Sequence, residues 1–362
     1  MVDMAGMMQI WRLLKQTLVI GVITLLLTVL VGELGVRLLV GAPLMERMPL
    51  VRVLPDPQTG FRMKPSDLHY TYQHKVQLNS LGLRGPELAD PAAGRYRILA
   101  LGDSHLYGQG IADEALLTTR LQEALQARFP RCQPEVVNAG VRAYSINQEF
   151  ALLQRLQPQL QPDHVLLFFY LNDFDEVNIA ARYRRYKGLD WYMPDLSGKP
   201  EGERLQRWQQ MQGLRHSALL MWLHDLWRGL TVDPNHFEQK ILRGATDKES
   251  EQRRAMVVSY LVQFKQLAQQ QGFRFTLVII PAAVQITHTF TPATYQAFLK
   301  AQAQRLGIAV VDLLPAFQAD YQQRGQRPIL PFDGHYNVRG QQLMAQQVMA
   351  YLQEQAPPCA QP

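Results

Sequence analysis

The longest uninterrupted apolar run in this chain of 362 residues lies near its N-terminus. Between Lys15 and Glu33 no residue is charged, and leucine, valine, isoleucine and threonine dominate. A helix of about 20 apolar residues is long enough to cross a bilayer. We therefore predict an N-terminal tail over residues 1–15 and a transmembrane anchor over residues 16–41. A cleaved signal peptide is the alternative, but the segment is long for one and no A-x-A-like cleavage site follows it.

From residue 95 onward, short apolar runs of strand type alternate with longer stretches that are apolar at helical spacing. The predicted strands cover residues 97–101, 135–138, 164–170, 274–280 and 309–311. The predicted helices cover residues 115–127, 147–156, 251–270, 292–305 and 338–353. Such alternation is typical of a parallel sheet that helices cover on both faces. We expect one α/β domain over residues 95–356.

Residues 42–94 lie between the apolar N-terminus and this domain and are rich in proline and polar side chains. Short strand-like pieces stand at 60–62, 70–72 and 76–79, with turn residues between them. We predict a stalk that becomes an N-terminal extension packed on the main domain.

An insertion over residues 174–249 interrupts the alternation after the third strand. Four of the chain's five tryptophans lie in it, namely Trp191, Trp208, Trp222 and Trp227. Because the insertion directly follows a strand, we predict a cap over the strand ends, in which the arginines and tyrosines of 182–192 contact sugar rings or anionic chains. Two alternatives stay open for its apolar stretch at 217–230, which are a helical hairpin with inward-facing aromatics and a helix that lies on a membrane.

Composition excludes several classes of function. The net charge of +6 is modest and the basic residues are scattered, so no nucleic-acid footprint is present. Cys132 and Cys359 cannot form a zinc site, and the histidines show no metal-ligand spacing, so we expect no metal and no cofactor. The two cysteines can pair in an oxidising compartment if the fold brings them together, which the sequence does not show.

Polar residues stand at the ends of three predicted strands and just before the last helix. These are Gly102-Asp103-Ser104, Asn138-Ala139-Gly140, Tyr170-Leu171-Asn172-Asp173 and Asp333-Gly334-His335. The carboxyl ends of parallel strands meet at one edge of a sheet, where such folds bind their ligands. We therefore expect all four groups to meet there. The segment GDSHLYG after the first strand has neither a G-x-G-x-x-G pattern nor a Walker lysine, which disfavours a nucleotide site.

These side chains suit acyl transfer through a serine. A serine hydroxyl needs a base to take its proton, and that base needs a group that orients it. His335 and Asp333 are the candidates for these two roles. A tetrahedral oxyanion needs nearby donors, which the N–H groups of Ser104 and Gly140 and the side-chain amide of Asn172 can supply.

The four groups resemble, in order, the four sequence blocks of the SGNH/GDSL hydrolase superfamily. The resemblance covers roughly residues 95–353, and the segment 79–85 (NSLGLRG) is similar to a lead-in of membrane-anchored bacterial members. It implies a three-layer α/β/α, flavodoxin-like fold with a central parallel sheet. It also implies Ser104 as nucleophile, His335 as base and Ser104, Gly140 and Asn172 as the oxyanion hole.

The resemblance further implies a place in the cell and a class of substrate. Members are esterases, lipases and carbohydrate deacetylases, and relatives that act on exopolysaccharides transfer acetyl groups. We expect a single-pass protein of a bacterial inner membrane with a periplasmic catalytic domain. Its substrate would be an acylated small molecule or glycan, and a membrane-bound acyltransferase is a candidate partner.

The chain departs from the superfamily pattern at two positions. Tyr170 replaces the glycine that usually begins the third block, and its ring is expected to narrow the acyl pocket. The last block reads D-x-H instead of D-x-x-H, which resembles the polysaccharide O-acetylation branch. Asp312, after the fifth strand, is a second candidate for the orienting acid, although we favour a loop cap for it.

The remaining polar residues of the blocks receive supporting roles. Gly102 permits the sharp turn before the serine. We expect Asp103 and Asp173 to hold their loops by hydrogen bonds, His105 to form a pocket wall and His288 to lie on a surface loop. The leading hypothesis is a membrane-anchored serine esterase or O-acyltransferase that forms an acyl-Ser104 intermediate. The alternative is a non-catalytic glycan-binding or assembly protein on a degenerate SGNH fold.

Overall fold

The structure, a computed structural model, describes residues 4–90, 94–175, 210, 212–287, 295–355, 357 and 359. The first element is helix α1 (Met4–Leu39), whose residues Met7–Leu39 form the one candidate membrane span in the described part of the chain. The most apolar window of this span has a mean hydropathy of 2.4 and no buried residue. By length and composition α1 is able to cross a membrane, as a membrane anchor or a signal sequence does. It begins at Met4, so most of the predicted tail is helical.

The segment after α1 forms two antiparallel hairpins. They consist of β1 (Val53–Asp56) with β2 (Gly60–Met63) and β3 (Leu68–Thr71) with β4 (His74–Gln77). The first hairpin packs on the main domain, because the Tyr144 hydroxyl donates to the Phe61 carbonyl (2.6 Å) and the Gln148 amide to the Thr59 carbonyl (2.6 Å). The short strands therefore lie close to their predicted positions, and they are docked on the body.

The centre of the molecule is a five-stranded sheet in which all neighbouring strands are parallel. Its strands are β5 (Arg97–Gly102), β6 (Glu135–Gly140), β7 (His164–Phe169), β8 (Arg274–Ile279) and β9 (Ala309–Asp312). Their order across the sheet is β6-β5-β7-β8-β9. The order changes direction at β5, so the carboxyl end of β5 lies at the crevice where such sheets bind ligands.

Helices cover both faces of the sheet. In chain order after α1, the described residues form the helices α2 (Ser104–Tyr107), α3 (Leu117–Arg128), α4 (Ile146–Leu160), α5 (Ala218–Leu230), α6 (Phe237–Leu242), α7 (Lys248–Gln271), α8 (Ala283–Thr287), α9 (Tyr295–Leu306), α10 (Leu314–Arg324) and α11 (Val338–Glu354). Helices α4, α7 and α9 pack on one face, whereas α3, α10 and α11 pack on the other.

The alternation of side chains along the strands explains this three-layer arrangement. In β5, Leu99 and Leu101 join the core under α4, and Ile98 and Ala100 join the core under α3 and α11. Both faces of the strand are buried, which is why it reads as a continuous apolar run. The predicted α/β/α fold with a central parallel sheet is confirmed.

Two features of the fold lie outside the sequence prediction. Helix α10 was not expected, because Phe317 is its one buried residue and its apolar pattern is correspondingly weak. Cys132 and Cys359 form a disulfide with a Cα–Cα distance of 5.3 Å, which ties the C-terminal segment to the turn before β6. Within the predicted insertion, residues 176–209 and 211 lie outside the described residues, including Trp191, Trp208 and the arginines and tyrosines of 182–192.

Candidate active site

The serine lies at the junction of strand β5 and helix α2. Asp103 is the N-cap of α2, and its carboxylate accepts a hydrogen bond from the N–H of His105 (2.7 Å). Gly102 is required at the turn, because a Cβ at this position would lie 2.9 Å from the Leu106 Cβ. These contacts place Ser104 as the first residue of α2, at the carboxyl end of the central strand.

His335 connects this serine to a carboxylate. Its Nε2 lies 2.7 Å from the Ser104 Oγ, and its Nδ1 forms a short hydrogen bond with Asp333 Oδ1. The same Asp333 oxygen accepts a hydrogen bond from the His335 backbone N–H (2.8 Å). The D-x-H spacing therefore suits the pair, because one carboxylate oxygen binds both the ring and the backbone of the histidine.

The second oxygen of Asp333 is held by residues that the sequence did not single out. The Tyr72 hydroxyl, from the N-terminal extension, donates to Asp333 Oδ2 in a short hydrogen bond, and Gln109 Nε2 lies 3.4 Å from the same atom. Arg215 Nη2 lies 3.4 Å from the Tyr72 hydroxyl. Burial works to raise the pKa of Asp333, but the hydrogen bonds from His335 and Tyr72 and the charge of His335 hold it well below its usual value.

Gly140 lies close to the serine turn, as predicted, but its N–H group is already bonded. It donates to the Asn138 side-chain oxygen (3.0 Å), while the Asn138 amide donates to the Leu106 carbonyl (3.0 Å). A Cβ at position 140 would collide with the backbone N of Tyr107. Close packing of β6 against α2 thus explains the glycine. Its predicted role as an oxyanion donor requires that Asn138 release the N–H.

Asn172 lies in the turn after β7, with its amide directed to the loop that follows β6. Its Nδ2 donates to the Tyr144 carbonyl at 3.3 Å, and its buried Oδ1 has no hydrogen-bond partner among the described residues. Ala143, next to Tyr144, has a left-handed backbone with φ of 64°. Such strain in a non-glycine residue is concentrated at functional sites.

Three carboxyl groups are buried together beneath the serine. Burial raises the pKa of Asp103 to about 6, although its hydrogen bond from His105 and the charge of His335 work in the opposite direction. Burial also raises the pKa values of Asp173 and Glu149 well above their usual range, and repulsion by Asp103 adds to both shifts. Asp173 caps its own turn by accepting the Tyr170 N–H (2.8 Å). Both carboxylate oxygens of Glu149 lack a hydrogen-bond partner in the described residues. Asp103 and Asp173 therefore hold loops, as expected, and Glu149 was not foreseen.

Aromatic side chains line one side of the histidine. The ring of His105 lies 4.8 Å from that of His335 and 4.0 Å from that of Tyr170. Burial, together with the charge of His335, lowers the pKa of His105 well below its usual value, so this ring is neutral. Asp312 caps the Leu314 N–H (3.1 Å) and pairs with Lys300, which agrees with the loop-cap interpretation. His288 lies outside the described residues.

Arg84, in the NSLGLRG segment, joins the N-terminal extension to the serine turn. Its buried guanidinium donates to the carbonyls of Tyr107 (2.8 Å), Gly108 (2.8 Å) and Ile111 (2.6 Å), and to the Asp113 carboxylate (2.8 Å). These acceptors lie on the end of α2 and the loop behind it. The lead-in segment therefore fixes the C-terminal end of the short helix that begins with Ser104.

Comparison with known proteins gives one family. The model of the GDSL-like lipase/acylhydrolase family matches residues 100–343. No curated protein sequence matches the chain significantly.

The described residues contain no group of three or more histidine, cysteine, aspartate or glutamate side chains suited to a metal ion.

Similar solved structures are distant in sequence. They include a lipolytic protein of the G-D-S-L family from Veillonella parvula (14% identity, 71% of this chain and 98% of that chain, TM-score 0.41). They also include the esterase EstA from a Pseudoalteromonas species (14%, 72% and 98%, TM-score 0.41). A third is a catalytic mutant of Axe2, an acetylxylan esterase from Geobacillus stearothermophilus (15%, 74% and 97%, TM-score 0.39).

Proposed function

The chain belongs to the GDSL-like lipase/acylhydrolase family, and from this premise we propose that it cleaves acyl esters through an acyl-Ser104 intermediate. One observation carries the proposal. Ser104 Oγ, His335 and Asp333 form a continuous hydrogen-bonded row at the carboxyl end of the central strand. A row of this kind is what activates a serine hydroxyl for attack on a carbonyl.

The proposed reaction has two half-reactions. His335 Nε2 takes the Ser104 proton as Oγ attacks the acyl carbonyl, and the tetrahedral intermediate then expels the alcohol, which receives that proton from His335. Water, or a sugar hydroxyl in a transfer reaction, next attacks the acyl carbon while His335 accepts the proton of the attacking group. The acyl–Oγ bond then breaks, His335 returns the proton to Ser104 Oγ, and the carboxylic acid or the new ester leaves. Asp333, whose pKa is depressed, stays ionised and stabilises the imidazolium in both steps.

The oxyanion donors proposed are the Ser104 N–H, the Asn172 amide and the Gly140 N–H. Loss of one such donor typically costs about 3 kcal/mol of transition-state stabilisation. Asn172 donates at 3.3 Å to Tyr144, a long contact that an oxyanion can replace at little cost. The Gly140 N–H is the weakest of the three candidate donors, since it must first lose its hydrogen bond to the Asn138 side-chain oxygen.

A short acyl group, acetyl above all, is the proposed substrate portion. The Tyr170 and His105 rings are packed together beside His335. We expect these rings to limit the length of the acyl chain that fits beside Ser104. The D-x-H spacing, similar to that of polysaccharide O-acetylation proteins, favours a glycan of the cell envelope as the alcohol portion. Whether an acyltransferase partner supplies the acyl group in a transfer reaction stays a prediction.

The proposed location is the outer side of a bacterial inner membrane, with α1 retained as the anchor. The Cys132–Cys359 disulfide supports it, since disulfides persist in oxidising compartments such as the periplasm. The orientation is tested by protease treatment of spheroplasts, in which a periplasmic domain is digested and a cytoplasmic one is protected.

The test of the serine uses the full chain in detergent and a fluorophosphonate probe, which phosphonylates activated serines. We expect mass spectrometry to find the label on Ser104, and to find none in Ser104→Ala or His335→Ala. Asp312→Asn is the matched control, because its carboxylate caps a loop, and it should label like the unaltered protein. Absence of label on a folded protein would favour the alternative of a non-catalytic glycan-binding protein on this fold.

A further inference from the structure

Helix α5 exposes most of its apolar side chains, which is the reverse of an ordinary surface helix. At about 100° per residue its apolar side chains form an arc of roughly 160°. They are Leu219, Leu220, Trp222, Leu223, Leu226, Trp227 and Leu230. Leu219, at the start of the helix, lies against Gly32 of α1. The rest of the arc is exposed, with Trp227 63% and Leu230 79% exposed, whereas Ala218 and Met221 are buried. A soluble protein rarely exposes so continuous an apolar surface without a partner for it.

The N-terminus of α5 is bonded to the end of α1. The Glu33 carboxylate accepts hydrogen bonds from the Ser217 hydroxyl (2.7 Å) and from the N–H groups of Ala218 (3.0 Å) and Leu219 (2.9 Å). Arg37 pairs with Glu33 and donates to the His216 carbonyl (3.2 Å). One side chain of α1 thus satisfies the free N–H groups with which α5 begins.

We propose that α5 is a second membrane-binding element, which lies in the interface of the bilayer that α1 crosses. The occupant of its apolar arc is lipid. This proposal does not depend on the proposed esterase activity. Contact of α5 with the bilayer would fix how the whole domain is oriented on the membrane.

Continuity with α1 is the reason to choose lipid as the occupant. From Met7 to Val31 the apolar side chains of α1 are exposed on every side, and the Glu33 cap starts α5 near the end of the span. A helix that begins at this level is adjacent to the headgroups. Tryptophans with an arginine neighbour, as at Trp222, Trp227 and Arg228, are typical of that region.

The contact also has a consequence for α1. Removal of α1 as a signal peptide would leave the α5 N–H groups without Glu33 and would expose the apolar arc to water. The arrangement therefore fits a retained anchor. Arg215, two residues before Ser217, lies 3.4 Å from the Tyr72 hydroxyl that binds Asp333. The membrane-binding helix is thus linked to the catalytic row, and the site is expected to work at the membrane surface.

Spin labels measure the depth of α5 directly. Both cysteines of the chain are in the Cys132–Cys359 disulfide, so an introduced cysteine can be labelled selectively. The labelled positions are Leu223→Cys and Trp227→Cys, with Gln270→Cys as a control in water. Each protein is reconstituted as one copy per nanodisc of phosphatidylethanolamine and phosphatidylglycerol. Accessibility to oxygen and to a water-soluble nickel chelate is then compared by electron paramagnetic resonance.

We expect the labels at 223 and 227 to lie about 5–10 Å below the phosphates, with oxygen accessibility dominant. The label at 270 should favour nickel. Nickel accessibility at 223 and 227 equal to that at 270 would refute the proposal. Low accessibility to both reagents would also refute it, because it would show a covering by protein. Labels at Leu220 and Leu230 repeat the test at other exposed positions, and none of these readouts requires activity.

Discussion

Removal of the Tyr72 hydroxyl tests whether the N-terminal extension takes part in catalysis. In Tyr72→Phe, Asp333 Oδ2 loses its short hydrogen bond and keeps only the 3.4 Å contact with Gln109. A hydrogen bond to a charged group is worth about 1.5–3 kcal/mol. If about 2 kcal/mol of this serves to orient the Asp333–His335 pair in the transition state, kcat falls about 30-fold. The ring is retained, so the Arg215 guanidinium keeps its position over the ring and loses only its 3.4 Å contact with the hydroxyl.

The assay is hydrolysis of p-nitrophenyl acetate, with kcat and KM determined separately. We expect the loss to lie in kcat, because Tyr72 acts on the acid and not on the substrate. Tyr144→Phe is the matched control, since its hydroxyl is also buried and also donates a hydrogen bond, but to the Phe61 carbonyl. It should cost stability and leave kcat nearly unchanged. Equal kcat values for the two variants, with Asp333→Asn strongly impaired, would refute the reasoning.

Three further predictions concern stability, each measured by urea unfolding. Burial raises the pKa of Glu149 in the folded state, so the folded protein keeps this proton at pH values at which the unfolded chain has lost it. Over that pH range the free energy of unfolding of the wild type should fall by about 1.4 kcal/mol per pH unit. Glu149→Gln should remove this loss and be more stable than wild type at pH 8 but not at pH 4, whereas exposed Glu123→Gln should change neither. Arg84→Lys should lower the free energy of unfolding by about 3 kcal/mol, because an ammonium cannot satisfy the acceptors of the buried guanidinium. A loss no larger than that of a surface substitution would contradict the role of Arg84 in holding the end of α2. Cys132→Ser should cost about 2–4 kcal/mol, and reductant should lower wild-type stability equally but leave the variant unchanged.

The sequence was sufficient to predict the sheet and the proximity of Ser104, His335 and Asp333, because both depend on local patterns. Strand β7, predicted at 164–170 and found at His164–Phe169, is apolar on both faces and ends in a polar turn. The carboxyl-end rule then brings Ser104 and His335 together although 231 positions separate them. The D-x-H spacing was also sufficient for Asp333, since its contacts with His335 span only two residues.

The contacts that depend on tertiary packing were not predictable in this way. Tyr72 lies in a short turn of the extension, with a left-handed φ of 51°, and no local pattern places its hydroxyl on Asp333. Glu149 reads as an ordinary polar residue of a helix, yet it is fully buried. Gly140 was predicted as an oxyanion donor, and that role stays a proposal; the close approach of the Tyr107 backbone is a separate reason for a glycine there, and no local pattern indicates it.

The N-terminal extension therefore acts as part of the site and not only as a spacer. Arg84 fixes the end of the helix that begins with Ser104, and Tyr72 binds the free oxygen of Asp333. One segment thus contacts Asp333 directly and supports, through the end of α2, the turn that carries Ser104. Arg215 connects this segment to the helix that we place on the membrane. A domain begun at residue 95 would keep Ser104, His335 and Asp333 and lose both supports. We infer that the row needs the extension to hold its geometry.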